Sequence, residues 1–112
     1  MALRLTKAWQ PLTTDNAKAL PGQLGVYELS DATGKTVAFG FGGARALFGL
    51  RSELMELAAR PPHGATQFRV EINQQYTTRY QELLMLHVHD HGQVPAGNIG
   101  KPLPTLGRLS PL

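Results

Sequence analysis

The stretch GFGGAR contains the first residues whose types and spacing could do chemistry. Gly40, Gly42 and Gly43 precede Arg45 at the point where an alternating apolar run gives way to a helical pattern. Glycines at such a corner let backbone N–H groups approach an anion, with help from the N-terminus of the following helix. The spacing is neither that of a dinucleotide-binding loop nor that of a P-loop. The sequence therefore favours a tight turn or bulge, and an anion-binding loop is the alternative.

The stretch HVHDH is the second candidate for chemistry. His87 and His91 are four positions apart and would share one face of a helix, a spacing that can chelate zinc, whereas His89 points elsewhere. A third ligand and the glutamate of an H-E-x-x-H motif are missing. Imidazoles near a helix C-terminus are also favoured by the helix dipole. The sequence therefore favours surface or capping histidines over a structural metal.

Four further polar residues are of interest because of their order along the chain. Tyr27 ends the run GVY, Arg51 falls in the first turn of one helical pattern, and Glu82 falls in the first turns of the next. Asn98 follows a proline-containing loop. Taken singly, each has a simpler interpretation, because a tyrosine on a strand usually packs and a helical arginine or glutamate is usually solvated.

The elements that must position these side chains follow from the apolar periodicity. LGVYELS and TVAFGFG alternate at period two on either side of the turn sequence DATGK, which predicts a β-hairpin. Apolar residues at helical spacing predict a helix from Phe48 to Arg60, where two prolines end it. The alternation of TQFRVEIN, from Thr66 to Asn73, predicts a third strand.

A second long helix is predicted over TTRYQELLMLHVHDHG. Thr78 and Gln81 have the spacing of a capping box there, and Gly92 is the expected stop. Residues 1–20 are expected to pack on the domain, with one helical turn capped by Thr14 or Asp15. Residues 21–98 form the domain, and residues 99–112, rich in Pro and Gly, form an extended tail. The predicted fold class is a small α/β (α+β) domain whose short mixed β-sheet, the hairpin plus the third strand, is packed with helices.

Length and composition limit the classes of function. At 112 residues the chain has room for one core, and hence for one site. The absence of cysteine excludes disulfides, thiolate catalysis and cysteine-based zinc sites, and a cytoplasmic setting fits best. No segment approaches the ~20 apolar residues of a membrane span, so no membrane is expected. The net charge of +3 is compatible with a polyanionic partner but is too small to require one.

The order of the polar residues resembles that of a known family, the GIY-YIG nuclease domain. LPGQLGVYEL is similar to the family's opening, and GVY, ending at Tyr27, matches the first motif in full. GKTVAFGF occupies the place of the second motif, with Ala38 where that motif has its tyrosine and Gly40 where it has its glycine. The resemblance covers about residues 20 to 98 and implies the GIY-YIG fold.

The resemblance also implies roles for single residues. An arginine in the first helix would hold the scissile phosphate, and Arg51 or, alternatively, Arg45 occupies that place. Glu82 would hold Mg²⁺ or Mn²⁺, and Tyr27 would act as base or orient the water, with its pKa lowered by neighbouring cations. Asn98 occupies the place of the family's asparagine and is a candidate for substrate binding, as are the glycines of the corner, Gly40, Gly42 and Gly43. Ala38 can offer no proton transfer.

Three classes of function remain. The first is a metal-dependent hydrolase of DNA or RNA with a reduced active site. The second is a nucleic-acid-binding module that keeps the fold without catalysis, and the third is an interaction protein that packs against another copy of itself. A nuclease should lose activity on Glu82→Ala, whereas a binding module should survive that change and bind with a steep salt dependence.

Overall fold

A computed structural model of the protein describes residues 4–43 and 48–99. Within this part of the chain the protein is a small α+β domain with one four-stranded sheet and three helices. The strands are β1 (Gln10–Pro11), β2 (Gly25–Ser30), β3 (Thr36–Gly42) and β4 (Gln67–Ile72). The helices are α1 (Thr14–Lys18), α2 (Leu50–Ala59) and α3 (Tyr76–His91), with short 3₁₀ turns at Pro62–Gly64 and Ala96–Asn98.

The predicted hairpin of β2 and β3 and the predicted third strand, β4, are confirmed. The Asp31 carboxylate closes the hairpin turn by accepting hydrogen bonds from Thr33 and from the Lys35 backbone N–H. The strand order is β1-β4-β2-β3, and every described pair is antiparallel, which corrects the expectation of a mixed sheet. The reason is that β3 and β4 flank β2 on opposite sides and both run against it.

Helix ends differ from the sequence-based expectation by a few residues. The cap of α1 is Thr13, whose side chain accepts a hydrogen bond from the Asn16 N–H, so neither Thr14 nor Asp15 is the cap. α3 begins at Tyr76 without a side-chain cap, so the expected capping box of Thr78 and Gln81 is wrong. Both residues lie inside the helix because packing on the sheet extends it.

The C-terminal end of α3 and both ends of α2 agree better with the bounds predicted from the sequence. Gly92 ends α3 in the left-handed region with φ 81°, which confirms the expected glycine stop. α2 spans Leu50–Ala59, inside the predicted range from Phe48 to Arg60. Of the predicted tail, only Ile99 belongs to the described residues.

Two cores lie on opposite faces of the sheet. The first lies between the sheet and the pair α1 and α2, and it includes Tyr27, Leu29 and Phe68. The second lies between the sheet and α3, and it includes Val26 and Leu5 from the N-terminal segment. Alternation along β2 therefore sends successive side chains to different helices. The protein is a three-layer sandwich in which the sheet separates α3 from α2.

Candidate functional site

Tyr27 lies in the core between the sheet and α2. It is paired across the hairpin with Gly40, and a Cβ on Gly40 would overlap the Tyr27 ring and hydroxyl. Ala38, which stands where the second family motif has its tyrosine, is buried in the same cluster. Gly40 is therefore explained by the tyrosine ring packed over it rather than by a ligand.

The environment of Tyr27 opposes ionisation of its hydroxyl. Only 8% of the residue is exposed. Burial raises its pKa well above the ordinary value, and the Glu53 carboxylate and the Tyr80 hydroxyl raise the pKa further. The sequence-based expectation of a pKa lowered by cations is wrong, because the charge that acts on Tyr27 is a carboxylate. A phenol held neutral in this way is not poised to act as a base at neutral pH.

Asn98 is fully buried against the outer edge of β3. Its Oδ1 accepts a hydrogen bond from the Phe39 N–H at 2.9 Å, and its Nδ2 donates to the Phe39 carbonyl at 3.0 Å. The same Nδ2 lies 3.1 Å from the Tyr80 hydroxyl oxygen and donates to it. The side-chain amide thus occupies the place of a further strand at one residue of the sheet edge. An amide bonded in this way has no surface left for a substrate.

Glu82 lies on α3, on the opposite side of the sheet from Tyr27. It lines a cavity of about 480 Å³ whose other charged side chains include Lys7, Glu71 and Arg79. Tyr27 is not among the residues lining this cavity. The two residues that the resemblance brings to one catalytic centre are therefore separated by the sheet. Glu82 itself has no hydrogen-bond or ion-pair partner among residues 4–43 and 48–99.

The glycine corner at the end of β3 is shaped by close packing. A Cβ on Gly42 would overlap the backbone of Gly49 and Leu50, and one on Gly43 would press on the ring of Tyr76. These contacts support the tight-turn interpretation of both glycines. Arg45 lies outside the described residues.

Arg51 lies in the first turn of α2, as its position in the sequence predicts. Its Cζ is 5.7 Å from the centroid of the Phe48 ring, a cation–π distance. Phe48 is 50% exposed beside the glycine corner, and Arg51 is half-buried.

Exposed aromatic residues at this end of the sheet were not foreseen from the sequence. Phe41 is 38% exposed, and its ring lies 5.2 Å from that of Tyr76. We call the residues around this end of the sheet the corner surface: Phe41 and Tyr76 on the α3 side, and Phe48, Arg51 and Ile72 on the α2 side. The sequence holds a weak indication of this exposure, because Phe41 stands near the end of the alternating run that forms β3. Side chains near a strand end are less completely covered by the helix packed on the sheet.

Ion pairs on the α3 side of the sheet were also missed. Arg69 Nε donates to Glu28 Oε1 at 2.7 Å, and its guanidinium lies 4.2 Å from the Trp9 ring centroid. Arg79 makes a bidentate contact with Glu71. The signal lay in the charged positions that alternate with apolar ones in RVEI of β4. The alternation does not show that α3 and the N-terminal segment cover that face.

His87 and His91 share one face of α3, as expected, with ring centroids 4.3 Å apart. Among the described residues there is no group of three or more ligating side chains that could hold a metal ion. Burial and the neighbouring His91 lower the pKa of His87, while Asp90 acts in the opposite direction.

The fold and these sites define the class of protein as a three-layer α+β domain with a buried hairpin tyrosine and polar cavities on its α3 side. The chain belongs to the family described as Domain of unknown function (DUF7508), whose model matches residues 2–90. Comparisons with curated proteins and with solved structures find no significant match. Within residues 4–43 and 48–99, no helix is long and apolar enough to cross a membrane.

Proposed function

We propose that the protein is a nucleic-acid-binding module of GIY-YIG-like fold that binds DNA or RNA without hydrolysing it. The observation that carries the proposal is the corner surface. Among the described residues, three of the four exposed large apolar side chains, Phe41, Phe48 and Ile72, lie at the end of the sheet where β3 ends. Arg51 adds a cation beside one of the rings. A cytoplasmic location, which the sequence favours, belongs to the same proposal.

Exposed aromatic rings beside an arginine are typical of surfaces that bind unpaired nucleotides. Bases stack on aromatic side chains, and arginine adds cation–π contact and attraction to phosphate. The net charge of +3 favours approach to a polyanion. Single-stranded nucleic acid is therefore the preferred form, because its bases are free to stack.

Binding without hydrolysis is supported by the groups around the hairpin. Ala38 supplies no hydroxyl, and burial opposes ionisation of Tyr27. Glu82 lines a cavity on the other side of the sheet. The residues that would have to share one phosphate are therefore in different places.

Hydrolysis remains the second candidate, because of one observation on Glu82. Its carboxylate has no partner among the described residues, and a single carboxylate with water ligands can hold Mg²⁺ or Mn²⁺. Such an ion would supply charge stabilisation to a phosphoryl group. The non-hydrolytic proposal needs neither metal.

The test is fluorescence anisotropy with labelled single-stranded DNA, single-stranded RNA and duplex DNA. We expect single strands to bind more tightly than duplex, with affinity falling steeply as salt rises. Phe48→Ala should weaken binding by about 1–3 kcal/mol, the contribution of one stacked base. Arg51→Ala should also weaken binding, whereas Arg60→Ala, at the other end of α2, is the matched control and should not.

A cleavage assay on the same oligonucleotides with Mg²⁺ or Mn²⁺ separates the two candidates. Cleavage that disappears in Glu82→Ala would establish hydrolysis and overturn the non-catalytic proposal. Absence of binding to every oligonucleotide, together with elution above monomer size, would instead favour self-association through the corner surface.

A further inference from the structure

A second groove lies at the opposite end of β3 from the corner surface. It has a volume of about 630 Å³, within the range of roughly 300–1,000 Å³ usual for small-molecule sites. The hairpin turn, the 3₁₀ turn Pro62–Gly64, the last turn of α3 and the segment that follows it form its walls. The name histidine groove is used for it below.

Three of the four histidines of the chain line this groove: His63, His87 and His91. They come from two separate elements, since His63 belongs to the 3₁₀ turn and the other two belong to α3. His63 has φ 50° and ψ 33° and is the one non-glycine residue with positive φ among the described residues. A left-handed backbone at a residue with a side chain is uncommon and occurs often at ligand sites.

The groove presents several hydrogen-bond donors beside the carboxylate of Asp31. Asp31, the carboxylate that lines it, accepts hydrogen bonds from its own turn. Lys35 also lines the groove, and it attracts the Asp31 carboxylate electrostatically without forming an ion pair within residues 4–43 and 48–99. What remains for a ligand is one ammonium and three imidazoles, a set of donors that matches an anion with several acceptor oxygens.

We propose that the histidine groove binds a small ligand bearing a phosphate group, with an affinity that rises as the histidines become protonated. The phosphate oxygens accept hydrogen bonds from Lys35, His63 and His91 at the mouth of the groove. His87, deeper between β3 and α3, adds a further donor. The site is independent of the corner surface and of the nucleic-acid-binding proposal.

Two carboxylates near His87, those of Glu28 and Asp90, are in ion pairs, although Asp90 still acts on His87 electrostatically. A smaller cavity of about 180 Å³ shares Thr36, His87 and His91 with the groove. In it Glu28 is paired with Arg69, and Asp90 is paired with Arg4. The titratable and charged groups facing His87 are His91 and Asp90 on α3, Glu28 on β2, Arg69 on β4, Arg4 in the N-terminal segment, His63 in the 3₁₀ turn, and Asp31 and Lys35 in the hairpin turn.

The test is a titration of the full chain with sulfate, followed by ¹H–¹⁵N chemical shifts at pH 5.5 and pH 7.5. Sulfate is the probe because, unlike phosphate, it keeps its double charge over this range. If binding requires a protonated histidine, the affinity for sulfate should rise by up to about tenfold per pH unit as the pH falls from 7.5 to 5.5. The largest shifts should fall on residues 31–36, 63 and 87–96. Equal affinity at the two pH values would overturn the proposal.

Variants identify the donors. His91→Gln and His63→Gln should each weaken sulfate binding and flatten its pH dependence, since glutamine donates a hydrogen bond but does not titrate. His89→Gln is the matched control, because His89 is on the same helix and does not line the groove. If this control weakens binding as much as the other two variants, the groove is not the site.

A comparison of ligands decides between a small molecule and a polymer. Glycerol 3-phosphate and a single-stranded DNA decamer are titrated in the same way. Tighter binding of the decamer that is lost in His91→Gln would overturn the small-ligand proposal in favour of nucleic acid. Loss of decamer binding in Phe48→Ala alone concerns the corner surface and leaves the groove unaffected.

Discussion

The two faces of the sheet are built from alternate residues of the same strands, yet they differ in chemistry. On the face toward α2, Leu29 and Phe68 are fully buried in an apolar layer around Tyr27. On the face toward α3, the neighbouring residues Glu28 and Arg69 form an ion pair that is largely withdrawn from solvent. The cavities lined by charged side chains at Glu28 and Glu82 open on this second side.

This difference in chemistry indicates which face of the sheet offers polar groups to a small ligand. An apolar layer stabilises the fold but offers a ligand no donors, and Tyr27 belongs to that layer. A buried ion pair adds less stability than an apolar pair of the same volume. Charged residues on the α3 side are therefore expected to contribute less to folding and more to recognition.

Truncation of a side chain on the apolar face should lower the free energy of unfolding most. Leu29→Ala removes a fully buried side chain and leaves a cavity against α2. We expect the free energy of unfolding to fall by about 2–5 kcal/mol, measured by urea denaturation. A loss under about 1 kcal/mol would mean that this core is loosely packed.

Substitutions on the polar face should lower the free energy of unfolding by less, and a second substitution should restore most of the loss. Glu28→Gln leaves the Arg69 charge without its partner, at an expected cost of about 1–3 kcal/mol. Adding Arg69→Met removes the orphaned charge and should recover most of that loss. If the double variant is as unstable as the sum of the two single variants, the pair does not act as a unit.

The smallest expected effect concerns pH and separates Tyr27 from a catalytic tyrosine. Because the pKa of Tyr27 is raised in the folded state, its contribution to stability is complete below the unfolded pKa of about 10 and is lost as the pH rises above it. The unfolding free energy should therefore fall above pH 10 by up to about 1.4 kcal/mol per pH unit.

Tyr27→Phe should reduce this alkaline loss and change stability little at pH 7. Tyrosinate absorbance, recorded along with unfolding, reports which hydroxyls ionise. Ionisation of Tyr27 in the folded protein near neutral pH would contradict the structural interpretation and revive a role for it as a base.

The secondary structure could be predicted largely from local pattern, whereas the candidate site could not. The hairpin, β4 and the two long helices were recognised because alternation and helical spacing are properties of neighbouring residues. The capping box at Thr78 was wrong, since tertiary packing extends α3 to Tyr76. The two-residue β1 carries no periodicity, so its pairing with β4 gave no signal.

By itself, the sequence determined the order of the hairpin, β4 and the two long helices, the turn at Asp31 and the glycine stop of α3, because each depends on a few adjacent residues. Only the tertiary structure decided that Tyr27 is buried, that Glu82 lies across the sheet from it, and that Asn98 bonds to the edge of β3. The physical reason is distance along the chain. Asn98 is 59 positions from Phe39, and the histidines of the groove come from separate elements, so packing alone brings these groups together.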